Sequence, residues 1–408
     1  MRPSRIVLRL SVGHFWIDAY ASMLGALMPF LYRTHDLSFT QMGVLAGMLI
    51  LSASFFQPFY GYLSDRWNSR VFTALGPSVA GLFICALGLT DSYPLMLVLV
   101  FLGGIGIAAF HPQGSAVASR SSRTNPGFQL SFFITCGMMG YAAGPVLMGS
   151  LLAFAGLSWS ILAAFPGLLV TLYLLRSGPL PAIEERVAKH REVLSRLKDH
   201  SRPLLLLFSL VVIKSAMQMA FVAFLPLFLV LRGYSAVTAS QILTLFLLVG
   251  ASSGFVGGIL MDHAGGKKVL VISMAGLVPC FLGFLATEGT ISILLCVLGS
   301  GFLLLNSPVN VAMAQRLVPH GVGTVSALMM GFAWGFGGIT VPIVGWASDS
   351  VGLSWSFLAL VLLGLPGLVL ALALPADQSL RVSGGNGAGP IGDVPPTRPE
   401  VVRYREHQ

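Results

Sequence analysis

The sequence predicts an all-α membrane protein of about twelve transmembrane helices, in two pseudo-symmetric six-helix halves with both termini cytoplasmic. Three observations predict this. First, 55% of the 408 residues are hydrophobic and only 10% are charged, whereas an ordinary soluble domain is about a quarter charged. Second, charges and Gly/Pro clusters cut the chain into stretches near the roughly 20 residues that a helix needs to cross hydrocarbon. Third, landmarks of the first half return in the second at a nearly constant offset.

In order, the predicted spans cover residues 10–32, 40–63, 70–90, 94–118, 127–153 and 157–176, then 203–231, 238–261, 267–287, 290–315, 322–347 and 353–374. Ala19-Tyr-Ala21 after a basic start imitates a signal-peptide cleavage site, but the apolar run continues to Tyr32 and contains Asp18, so the first span reads as a retained helix. Trp159 and Trp355 open the sixth and twelfth spans, where tryptophan anchors a helix at the interface. The four cysteines, Cys85, Cys136, Cys280 and Cys296, lie within apolar spans without metal-ligand spacing and read as small packing residues. Neither a metal nor a cofactor is expected.

Charge placement sets the topology. The termini, the even-numbered connections and the central linker hold 21 of the 24 Lys and Arg, and the positive-inside rule then puts both termini in the cytoplasm. The net charge of +9 thus records topology, and no basic stripe with interleaved aromatics points to nucleic acid.

The repeat defines the domains. Asp65 and Asp262, Pro29 and Pro226, and Pro145 and Pro342 stand 197 residues apart. Pro112 and Pro308, Arg120 and Arg316, and the two copies of Gly-Leu-Ser-Trp-Ser at 156–160 and 352–356 stand 196 apart. The chain therefore divides into a six-helix half at 1–176, a charged linker at 177–202, a second half at 203–374 and a tail at 375–408. Parallel repeats of this kind place a substrate site between the halves at mid-depth. A basic amphipathic surface helix is expected for the linker, and disorder for the Gly- and Pro-rich tail.

Charged groups near hydrocarbon are costly, and two loops carry them in register. Gly61, Asp65, Arg66 and Arg70 resemble the signature loop between the second and third helices of the major facilitator superfamily of transporters. Gly258, Asp262, Lys267 and Lys268 resemble its second-half copy. The resemblance implies a cytoplasmic gate, with glycine admitting a neighbouring helix and the carboxylate taking a helix N-terminus or an arginine. Asn68 and Ser69 depart from the usual glycine and basic residue there.

Further motifs narrow the resemblance. Gly13-His14-Phe-Trp-Ile-Asp18, Gly104-Ile-Gly106 with Phe110-His111-Pro112, Lys214, and Gly331-Phe-Ala-Trp-Gly335-Phe-Gly337-Gly338 resemble the fosmidomycin resistance protein family, a bacterial efflux branch of that superfamily. Gly140, Gly144 and Pro145 are similar to the glycine-proline motif of antiporters, which bends the helix and permits tight packing, and whose second-half counterpart is Pro342. The arginine that many drug antiporters carry in the fourth helix is absent, Val100 standing near its place.

Asp18 and Lys214 are the formally charged residues deep in the spans, at corresponding places in the two halves. Such residues face a bundle interior or a wet cavity and mark a pathway. Asp18, with His14 one turn earlier, is the expected proton-coupling site; a permanent Asp18–Lys214 pair joining the halves is the structural alternative. Lys214, His111, Gln218, Asn306 and Asn310 are candidate substrate contacts, although buried amides also serve as interhelical glue. Together with the resemblance, these residues imply a multi-pass plasma-membrane antiporter that exports a small anionic or zwitterionic compound or drug by alternating access. An importer or facilitator of a small organic anion remains open, and a membrane sensor without turnover is a remote third. An enzyme is not expected, since no H-E-x-x-H, phosphate loop or nucleophile elbow occurs. The expected partners are a small-molecule substrate, protons and the lipid bilayer, and a complete pathway in one chain makes a monomer the default.

Overall fold

Inside hydrocarbon a backbone N–H or C=O has no partner except the chain itself, so apolar stretches of this length fold as helices. The computed structural model describes residues 2–60, 63, 70–121, 126–177, 195, 197–318 and 322–375, and no strand occurs among them. In chain order the helices are α1 (Arg5–His35), α2 (Phe39–Phe55), α3 (Arg70–Cys85), α4 (Tyr93–Arg120), α5 (Pro126–Ala155) and α6 (Phe165–Arg176), then α7 (Ser201–Leu231), α8 (Ala236–Ala264) and α9 (Gly266–Ala286). They continue with α10 (Gly289–Leu305 and Ser307–Leu317), α11 (Val322–Ser326 and Ala333–Val351) and α12 (Leu353–Leu362 and Gly364–Ala373). Among the described residues, eleven helices are long and apolar enough to cross a membrane, and they correspond to α2–α12. At 31 residues α1 is about 46 Å long, but His14, Asp18 and its neighbouring polar groups lower its hydropathy below that of the others.

Three departures from the predicted single helices are explained by a proline. Segment breaks fall at Asn306, Leu363 and Ala164, two or three residues before Pro308, Pro366 and Pro166. Each proline lacks the N–H that would bond to the carbonyl four residues back. The stretch Leu157–Ala164 is a 3₁₀ helix leading into α6. In α11 the backbone widens to a π-helix over Ala327–Phe332, which changes the phase of the helix just before Trp334.

The sequence repeat returns as geometry. Gly156 and Gly352, first residues of the two identical pentapeptides, both sit at a helix boundary with φ of 88° and 86°, a region that L side chains rarely enter.

Glycines set how close the helices come. A Cβ at Gly140 would lie 1.9 Å from the carbonyl oxygen of Phe15, and one at Gly144 would lie 2.2 Å from that of Ala19. Thus α5 lies backbone to backbone on α1. The helices α1–α6 pack on one another, as do α7–α12, and the two groups meet through α2 with α11, α5 with α8, and α1 with α7. Along α11 these contacts fade toward the end of the molecule that carries the termini. A Cβ at Gly345 would sit 2.3 Å from the carbonyl oxygen of Phe39, and Pro342 packs on Gly47, but Gly335 has only Ser54 at 4.0 Å and Gly331 has nothing within 4 Å. Among the described residues, the α2–α11 seam is therefore tightest at the end remote from the termini and looser toward the terminal end.

One carboxylate fastens the joined end. Asp349 on α11 accepts hydrogen bonds from the backbone N–H groups of Phe39 and Thr40 at 2.8 and 2.9 Å and from Thr40 Oγ1 at 2.5 Å. An anion at the start of α2 also complements its dipole.

Two predictions follow from this packing. Gly140→Ala forces α1 and α5 apart and is expected to lower stability by about 1–3 kcal/mol, read as a fall in thermal midpoint of the detergent-purified protein. Asp349→Ala unfastens the joined end and is expected to lengthen the distance distribution between spin labels at Ser38 and Val351, measured by pulsed dipolar spectroscopy.

Candidate functional site

The glycine-mediated approach of α5 to α1 creates the site. Gly137, one turn before Gly140, faces both His14 and Asp18: a Cβ there would lie 2.5 Å from the His14 ring and 2.6 Å from Asp18 Oδ2. No larger residue fits between α5 and this pair. Asp18 is then bracketed by two imidazoles. His14 Nε2 lies 3.2 Å from Oδ2, one turn away on the same helix, and His111 Nε2 of α4 lies 3.0 Å from Oδ1. Phe133 of α5 completes the enclosure, with its ring stacked on His14 at 4.0 Å between centroids and its carbonyl oxygen 2.8 Å from His14 Nδ1. A carbonyl oxygen only accepts, so Nδ1 carries a hydrogen. His14 is 7% exposed, and its orientation is held from both sides.

Lys214 is placed apart from this group. It is 2% exposed on α7, donates from Nζ to Ser307 Oγ of α10 at 3.0 Å, and lies 5.0 Å from the centre of the Trp334 ring. Contact with an aromatic face partly offsets the loss of water around an ammonium group. Among the described residues Asp18 and Lys214 make no ion pair, so the structural alternative raised by the sequence, a permanent bridge joining the halves, is not what this conformation contains.

The two arrangements are nevertheless equivalent. His111 and Ser307 stand 196 residues apart, as do Asp18 and Lys214. The first helix of each group thus reaches the fourth helix of that group at the same register, an acid touching an imidazole in one half and an ammonium touching a hydroxyl in the other. The sequence singled out Asp18, His14, His111 and Lys214 but missed Ser307 and Trp334. The constant offset from His111 was a signal sufficient to find Ser307; Trp334 depends on the π-helical phase of α11, which no local pattern announces.

The amides divide. Asn306 Nδ2 donates to Ser273 Oγ at 2.8 Å, and Asn310 Nδ2 donates to Asn306 Oδ1 at 3.1 Å. This chain of bonds ties α9 to both segments of α10 across the break at Asn306. Gln218, one turn beyond Lys214 on α7, is buried with its Oε1 lacking a hydrogen-bond partner, and the same holds for Ser215 Oγ and Asn310 Oδ1. Buried acceptors without partners are costly.

Of the gate residues, Gly61, Asp65 and Arg66 lie outside the described residues, as do most of the linker and nearly all of the tail, and Arg70 begins α3. In the second half Asp262 meets Arg316 Nη2 at 3.9 Å with both side chains exposed, an ion pair of small energetic value. Arg316 was noted only as a repeat landmark. Gly258 has open space around it, Lys267 Nζ donates to the Leu374 carbonyl at 2.5 Å, and Lys268 is exposed.

Long apolar helices in two abutting groups, with a partly buried acid and a buried lysine at equivalent sequence positions, fit a membrane transporter and not an enzyme. The profile of the Major Facilitator Superfamily matches residues 10–342. The chain belongs to that superfamily. It is 29% identical over 390 residues to the MFS-type transporter YfnC of Bacillus subtilis (strain 168), covering 92% of this chain and 94% of the relative. It is 27% identical over 388 residues to the fosmidomycin resistance protein of Escherichia coli (strain K12), covering 90% and 92%. Among solved structures, a bacterial homologue of the human lysosomal transporter Spinster, inward-facing and occupied, superposes with a TM-score of 0.81 at 15% identity over 94% of this chain and 100% of that one.

Asn306→Ala distinguishes the two roles open to the amides. Loss of its hydrogen bonds is expected to lower stability by about 1–2 kcal/mol, seen in the thermal midpoint, with solute affinity unchanged.

Proposed function

We propose that the chain is a proton-coupled antiporter that exports a small anionic or zwitterionic organic compound by alternating access. The observation that carries this reading is the Asp18 carboxylate held between His14 and His111, matched in the other half by Lys214. In this reading α1 counts as the twelfth membrane crossing, both termini face the cytoplasm, and the plasma membrane is the site of action. Asp18 takes up a proton when the cavity faces outward and gives it up at the other side, its two imidazoles stabilising the charged form. Lys214 attracts the anionic part of the solute, Gln218 Oε1 on the same helix accepts from a donor group of it, and Trp334 shields the ammonium when the site is empty. Protonation and solute occupancy then compete through the electrostatics shared by the two halves. Similarity to a fosmidomycin resistance protein favours export and suggests a phosphonate-like solute, which carries the negative charge that Lys214 would recognise. The looser α2–α11 seam toward the terminal end supports a cavity that opens to the cytoplasm in this reading, and the Asp349 contact would have to break for the outward state.

The test uses protein reconstituted in vesicles that enclose a pH-sensitive dye, with an imposed proton gradient and a panel of anionic and zwitterionic solutes including fosmidomycin. Solute-dependent proton flux is expected in the wild type and absent in Asp18→Asn. Lys214→Gln is expected to raise the half-saturating solute concentration about tenfold, equivalent to about 1.4 kcal/mol. Solute movement without proton flux would instead identify a facilitator.

A further inference from the structure

We propose that His14, Asp18 and His111 form a binding site for one divalent transition-metal ion of the zinc type. This goes beyond the transport reading and revises the sequence-based expectation of no metal, because the residues at 14, 18 and 111 form no recognisable ligand spacing. The fold alone assembles them: α1 supplies two ligands one turn apart, and α4 supplies the third.

The donor set is the first argument. Two imidazole nitrogens and one carboxylate offer ligand atoms that all lie within 4.8 Å of one another. His14 Nε2 and His111 Nε2 stand 3.2 and 3.0 Å from the two oxygens of Asp18. An ion with bonds of about 2.0–2.2 Å to nitrogen and oxygen fits between such atoms after small side-chain rotations. Two histidines and a carboxylate with further positions open is an established set for zinc and neighbouring ions.

The hydrogen-bond roles are the second argument. The Phe133 carbonyl takes the hydrogen on His14 Nδ1, so in a neutral ring Nε2 presents a lone pair. That lone pair faces a carboxylate oxygen, which also only accepts. The contact is favourable only with a positive charge between or on the two groups. The Nδ1–carbonyl bond is also the usual outer support of a metal-bound histidine, fixing its tautomer and orientation. His111 differs: its Nδ1 is buried without a partner, so ligation through Nε2 places a hydrogen on Nδ1 that has no outer acceptor. A proton satisfies one pair of atoms; the third convergent donor is what a metal ion uses. The other histidine–carboxylate contact, His35 Nδ1 to Asp91 at 3.4 Å, lacks a third ligand and has a fully exposed acid.

The experiment uses the full chain purified in detergent and stripped of metal with a chelator. Zn²⁺ is titrated calorimetrically, Co²⁺ by visible absorption, and the thermal midpoint is followed with and without Zn²⁺. Expected are one strong site per chain, a higher midpoint with Zn²⁺, and affinity at least about tenfold weaker in His111→Ala and in Asp18→Asn, with His35→Ala unchanged. If either ligand variant fails to fold, the other variant and the wild-type midpoint shift still decide the matter. Absence of a saturable Co²⁺ spectrum in the wild type, or equal affinity in His111→Ala and Asp18→Asn, would overturn the site. These measurements contain no solute or proton gradient, so their failure is separate from failure of the transport reading.

Discussion

The close approach of α5 to α1 is the constraint on which the rest of the site depends. Gly140 and Gly144 bring the backbones together, and that contact seats α5 against His14 and Asp18. Tight packing through small residues is how helices associate where lipid offers no hydrophobic drive. Of the two roles read in the sequence for this motif, bending and tight packing, the close approach is the one that shapes the site. It delivers Gly137 to the site, where a side chain would strike His14 and Asp18, and it delivers the Phe133 carbonyl that fixes the His14 ring.

The same logic governs the junction between the two groups of helices. Small residues and Pro342 let α11 lie on α2 near Gly43, Gly47 and Gly345, and Asp349 caps the start of α2. Farther along α11 the packing thins, and a Cβ at Gly331 would meet nothing within 4 Å. In the proposed cycle, a change of charge at Asp18 would bias which end of the junction is closed. Coupling of this type needs each ligand to favour one arrangement over the other, and a partly buried carboxylate and a buried ammonium would provide electrostatic terms of opposite sign.

Much of this was legible in the sequence, for definite reasons. Span positions follow from length and apolarity, and residues 238–261 or 267–287 needed nothing more. The repeat was legible because Gly-Leu-Ser-Trp-Ser demands the same backbone turn twice. Asp18 and Lys214 stood out because few residues are costlier inside a bilayer. What was not legible depended on helix phase and tertiary neighbours. That His111 joins Asp18 whereas Lys214 turns to Ser307 and Trp334 depends on side-chain direction. The helix breaks required reading Pro166, Pro308 and Pro366 as deleted donors and not merely as tolerated residues. Asp349 was not singled out, because its partners are more than three hundred residues away.

The central claim, that Asp18 changes protonation as solute binds, is tested most directly by infrared difference spectroscopy of the purified protein on addition of a transported solute. The account predicts a change in the protonated-carboxyl stretch that is present in the wild type and missing in Asp18→Asn. An unchanged carboxyl region on binding, or the same difference band in Asp18→Asn, would contradict it.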